Sequence, residues 1–185
     1  MEALYQAAPL HPGLLGAHRE LIELGVLPVD PQHLAAARPP PEGVLGELAA
    51  LDADALDLVL YLVCAHHGKV RGSWQATPQD QDARPDPKRG LPLRGILAGD
   101  LLPKTAIADQ RGAIAQFPDV KLDLSAAALG LSPRYGASWR ERVAGLRRRH
   151  GDAGLLLLES LLRVADIRAS QRETADPWLE EESAR

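Results

Sequence analysis

The 185-residue chain is poor in the residues that usually announce a particular chemistry or compartment. It has a single cysteine, Cys64, which excludes a disulfide framework and any cysteine-cluster zinc site. Aromatic residues are only 4% of the chain, so Leu, Ala and Val must fill its interior. No stretch approaches the roughly 18 uninterrupted apolar residues of a membrane span. Met1-Glu2 opens with an acid rather than the basic region of a signal peptide, and a cytoplasmic location without membrane contact is expected. The phosphate-binding P-loop, the dinucleotide glycine fingerprint and the G-x-S-x-G elbow are all missing, which sets aside nucleotide-driven work and serine-hydrolase chemistry.

What remains is an ordinary folded composition, with 25% charged and 45% hydrophobic residues. The length suits one domain, and the excess of Leu and Ala predicts a mainly α fold. Residues 13–25 read as a helix stopped by Gly25, and Pro28, Pro31 and Pro39-Pro40-Pro41 make the next stretch a loop. A short helix is expected over 44–51. A stronger one spans 54–67, with Asp54 as its cap, Leu56, Val59, Leu60, Val63 and Cys64 on one face, and Gly68 at its end. That helix is apolar nearly all round, so burial is expected. Pro78, Pro85 and Pro87, with a scatter of Gln and Asp, predict an exposed, mobile loop over residues 72–90. Strand-like alternation over 93–102 and 120–124 predicts a small β-hairpin insertion, and 125–129 a helical turn. Two helices close the pattern, 138–150 with Ser138 as N-cap and 152–170, with His150 beside Gly151 at the break between them. Residues 1–174 then form one helical domain and 175–185 a flexible tail.

Two groups of residues carry possible chemistry, and a third concerns charge. His66-His67 ends an apolar helix, where two imidazoles cost desolvation unless something uses them. They fit two metals, or one metal and a substrate phosphate; the alternative is a packed His beside one that caps the helix. Asp166 sits among Leu161, Leu162, Val164 and Ile167; the alternative to a ligand role is an ion pair with Arg163 or another Arg. In residues 134–172, nine Arg stand against four acids, a net of +5, so the remainder of a chain of net charge −4 carries −9. The run Arg140, Arg142, Arg147, Arg148 and Arg149 therefore reads either as contact with a nucleic-acid backbone or as a solvated helix surface.

The blocks VLYLVCAHHGKVR, LRGILAGDLLP, LDLSAAALG, SWRERVAGL and LLLLESLLRVADIRAS resemble, in order, the HD nuclease domain of the CRISPR helicase–nuclease, in its type I-G (formerly I-U) form. The resemblance runs from about residue 44 to 170, and the last block is its most specific part. It implies a helical HD-domain-like bundle with one or two divalent metals that position water for attack on a DNA phosphodiester. The family's ligands are a His, a His-Asp doublet, a single His, a His-His pair and a late Asp. The pair matches His66-His67 and the late Asp matches Asp166. The single His is replaced by Gly46 in LGELAAL, and the doublet occurs nowhere in the chain. EALYQAAP resembles the family's segment just after the doublet, so the polypeptide is expected to begin there. His18 is a stand-in for the first His without motif support.

Three ligands hold one ion rather than two, and Mn, Ni, Co or Zn on His66, His67 and Asp166 is the metal expectation, since two His and one carboxylate form an open site. The resemblance leads to two functions. The first is a non-catalytic, small-subunit-like part of the crRNA-guided CRISPR surveillance complex, contacting DNA or crRNA backbone through residues 134–172. The second is a metal-dependent single-stranded DNA nuclease, complete with unusual ligands or completed by a partner subunit that supplies a His-Asp pair. A third, a truncated product with no role of its own, predicts poor solubility.

Overall fold

The computed structural model describes residues 4–5, 8, 11–15, 20–21, 24–26, 43–68, 70–108, 114–127, 131–132 and 136–175. His18, the proline-rich loop before residue 43 and the tail from residue 176 lie outside the described residues. The fold is mainly helical, with small antiparallel β insertions, as the composition predicts. Helices α1 (Pro12–Leu15), α2 (Gly43–Ala49), α3 (Ala53–Ala65) and α4 (Pro78–Asp82) precede the β segment, and α5 (Trp139–Ala175) follows it. Among the described residues no helix is long and apolar enough to cross a membrane.

α3 is the central element. Its cap is Asp52 rather than Asp54: the Asp52 carboxylate accepts the Ala55 N–H at 2.7 Å, which places Asp54 in the first turn. Nor is the helix buried all round. Leu56, Tyr61 and Ala65 are buried, whereas Val59 and Val63 are 38% and 62% exposed. On one side Leu56 joins Leu4, Tyr5 and Leu14; on the other Tyr61 and Ala65 join Val70, Trp139, Val143, Leu146 and Leu155. Leu60 packs against both clusters and links them. Three of the chain's seven aromatics meet here, with Tyr61 stacked on Trp139 and Trp74 edge-on to the same indole.

α5 is two helices joined at a break. Gly151 has φ 68° and ψ 164°, a conformation open in practice only to glycine. The break falls where the sequence puts it, and the second half extends to Ala175, five residues further than expected. Ser138 starts the first half with a capping box, its N–H donating to Glu141 Oε2 at 2.9 Å while its Oγ faces the Glu141 N–H. Arg142 meets Asp57 and Arg149 meets Asp54, so this half runs antiparallel to α3. After Gly151 the sense reverses, because Glu159 meets Tyr61 and Asp166 lies beside His66 and His67. Arg147 and Asp152 span the break with a two-pronged pair at 2.6 and 2.9 Å.

The expected hairpin exists only at its ends, as β1 (Leu101–Leu102) against β4 (Val120–Lys121). Residues 93–100 fold into turns instead. Enclosed by that pair is a hairpin that the sequence pattern does not predict, β2 (Thr105–Ala108) with β3 (Ile114–Phe117). The expected turn over 125–129 is a 3-10 helix, Ser125–Ala127, and β5 (Leu131–Ser132) pairs with β6 (Gly136–Ala137) before α5. Residues 72–90 are largely exposed, yet they contain α4 and a buried carboxylate rather than a bare loop. Asp80 accepts the N–H groups of Thr77 (2.6 Å), Arg94 (2.8 Å) and Gly95 (2.7 Å) and the Thr77 hydroxyl (2.9 Å). Those bonds, led by the one from the Thr77 N–H, hold its carboxyl down at a pKa of about 2.

Candidate metal centre

His66 is the C-cap of α3, and its N–H bonds back to Leu62 O as the last helical turn closes. Its ring Nδ1 also lies 3.0 Å from Leu62 O. A carbonyl acceptor there puts the proton on Nδ1 and leaves the Nε2 lone pair free, the tautomer that a metal-ligating imidazole needs. The capping role expected as the alternative for this pair is therefore filled by the same residue. The His67 ring sits beside it, with ring centroids 3.9 Å apart.

Asp166 reaches this pair from about 100 residues further along the sequence. Leu155 and Glu159 are buried on the second half of α5 and Leu162 is partly so, a stripe spaced four then three residues apart. Asp166 continues that stripe four residues on. The two helices run in the same sense, and each advances by about 1.5 Å per residue. From the Tyr61–Glu159 contact, six residues along α3 reach His67 and seven along α5 reach Asp166, strides of roughly 9 and 10 Å. One ligand atom from each of His66, His67 and Asp166 lies within 4.8 Å of the others. Atoms bound about 2.1 Å from an ion stand at most about 4.2 Å apart across it, so a small contraction of the side chains closes the group on one cation. The residues present thus fit a single divalent ion. Asp166 makes no ion pair among the described residues, so the expected alternative with Arg163 is not realised.

Beside these ligands lies a polar junction around one buried carboxylate, closed on its outer side by the half-exposed Arg71 and marked by no motif in the sequence. Glu159 is 4% exposed. Its Oε1 accepts the Tyr61 hydroxyl and its Oε2 accepts Arg71 Nε at 2.7 Å. Trp139 Nε1 in turn donates to Arg71 O at 3.1 Å. Burial, reinforced by the bond to Glu159, pushes the Tyr61 hydroxyl above its ordinary pKa. In sequence Glu159 appears only as one acid in a basic segment. Its signal was its place seven residues before Asp166, on an otherwise apolar stripe.

The arginine run divides. Arg142 is not on the surface: its side chain is 1% exposed, it pairs with Asp57 Oδ1 at 2.6 Å, and it donates to Leu14 O (2.7 Å), Ala137 O (3.2 Å) and Gly13 O. Its expected role in phosphate contact is corrected to an internal one, because three backbone carbonyls and a carboxylate occupy four of its five N–H donors inside the protein. Burial still pushes the Asp57 carboxyl up, against the pull of this guanidinium. Arg147 is paired with Asp152, and Arg149 with Asp54 at 3.2 Å and Asp57 at 3.8 Å. Arg140 and Arg148 remain exposed and form no ion pair among the described residues.

Comparison with protein-family models, with curated proteins and with solved structures finds no match for this chain.

Proposed function

We propose that this chain is a metal-dependent phosphodiesterase acting on nucleic acid, of the HD nuclease kind that its motif blocks resemble, and that it works within a type I CRISPR antiviral system. The observation that carries the proposal is the meeting of His66, His67 and Asp166, three metal-ligating side chains drawn from positions about 100 residues apart in the sequence, within 4.8 Å. Two imidazoles and one carboxylate make an open ligand set that leaves positions for water and substrate. A divalent cation held there supplies Lewis-acid activation of water and of a phosphoryl oxygen. The chain's own part is to present that set at an accessible edge, with His67 exposed, so that a long polymer can reach it. The Leu62 carbonyl holds the His66 ring in the ligating tautomer.

The scaffold function in a CRISPR surveillance complex draws on the arginine run, and the geometry lends it less. Arg142 is internal, and Arg147 and Arg149 already face carboxylates. Arg140 and Arg148 are what support it.

The test is degradation of circular single-stranded DNA by the purified chain with Mn, Co or Ni, beside His66→Ala/His67→Ala and Asp166→Asn. Cleavage by the parent that both variants lose is the expected result. A folded, soluble chain that cleaves nothing and binds no metal would overturn the enzyme and leave the scaffold.

A further inference from the structure

A single buried carboxylate grips the chain on both sides of the His66-His67 pair and stands on the helix that delivers the third ligand. Tyr61, five residues before His66, donates its hydroxyl to Glu159; Arg71, four residues after His67, donates its guanidinium to the other oxygen of the same group. Trp139 fixes the Arg71 backbone from the start of α5. Resting on the metal-centre reading above, we infer that Glu159 is the positioning residue of that centre, the group that sets the distance and register between the His pair and Asp166.

The physical case is one of placement and chemistry. A buried carboxylate is unfavourable unless paired and hydrogen-bonded, and apolar residues of similar volume would often stabilise a helix seam as well. Here Leu155 and Leu162 flank Glu159 on the seam, so another Leu would continue the pattern. What Leu cannot do is fix the helices' sliding register, because apolar contacts are non-directional. Two bonds to opposite oxygens of one carboxylate specify register as well as separation. The ligands lie about two helical turns further on, close enough that a displacement at Glu159 is carried along a rigid helix to Asp166.

The experiment compares Tyr61→Phe and Glu159→Gln with Val143→Ala, a cavity variant in the same core but away from the ligands. Each is titrated with Co²⁺, following its visible absorption, and melted without metal. The expected result is a ~10-fold or greater weakening of Co²⁺ binding and a changed absorption band in Tyr61→Phe and Glu159→Gln, with Val143→Ala within about two-fold of the parent at a similar loss of Tm. Affinity that falls in step with Tm across all three variants would reduce Glu159 to a stabilising contact and overturn the inference. Unchanged Co²⁺ binding in Tyr61→Phe and Glu159→Gln would overturn it too. Should the parent bind no Co²⁺, or bind it equally in His66→Ala/His67→Ala, the metal centre itself is refuted, an outcome separate from failure of the brace.

Discussion

The guanidiniums of Arg142 and Arg148 look interchangeable in a run of basic residues, yet one is enclosed and the other faces water. Arg142 ties α1 to α3 and to the start of α5 through Gly13 O, Leu14 O, Ala137 O and Asp57. Its replacement strands three carbonyls and leaves the largely buried Asp57 carboxylate with only Arg149, 3.8 Å away, and breaking a buried pair in this way costs about 3–5 kcal/mol. Arg142→Ala is therefore expected to lower the urea midpoint sharply, whereas Arg148→Ala stays within about 0.5 kcal/mol of the parent. His66, His67 and Asp166 were legible because their blocks stand in a recognisable order. Glu159, Tyr61 and Arg71 were not, since each is unremarkable until the fold brings them together.

Among elements, the regular ones were legible and the irregular ones were not. α3 and both halves of α5 announce themselves through helical spacing, the Ser138 cap and Gly151. The segment from 72 to 100 does not, because its order comes from one carboxylate gathering backbone N–H groups rather than from any periodicity. The consequence is a pH dependence. The Asp80 pKa is depressed in the folded chain from 3.8 to about 2, so its contribution to stability is present above pH 4 and is lost as pH falls from 3.8 toward 2. Acid titration of Asp80→Asn, followed by amide exchange at Arg94 and Gly95, is expected to show no such transition and weaker protection at neutral pH. The joint in α5 gives a second expectation. A Cβ at Gly151 meets nothing within 4 Å, so Gly151→Ala carries only the backbone penalty, about 1–3 kcal/mol, readable in thermal melts.

For the whole molecule, the proposed metal centre would link metal binding to folding. α3 and the second half of α5 each hold part of the ligand set, so an ion that binds it binds only the folded arrangement. At a free concentration 100 times its Kd, such an ion stabilises by about 2.7 kcal/mol. Mn²⁺ or Co²⁺ is accordingly expected to raise Tm, EDTA to reverse the rise, and His66→Ala/His67→Ala to abolish it.

The inward stripe of α5 has one more property. Glu159 and Asp166 are seven residues apart, and Glu173, partly buried, lies seven beyond. Such a ruler repeats its mark every two turns, so a helix slipped by roughly 10 Å would still bring an acid opposite the imidazoles. Regular spacing therefore gives the folding chain a wrong answer almost as good as the right one: the same slip would face Tyr61 and Arg71 with Asp152 or Asp166, so it is the longer reach of Glu159, one methylene beyond an aspartate, that separates the registers.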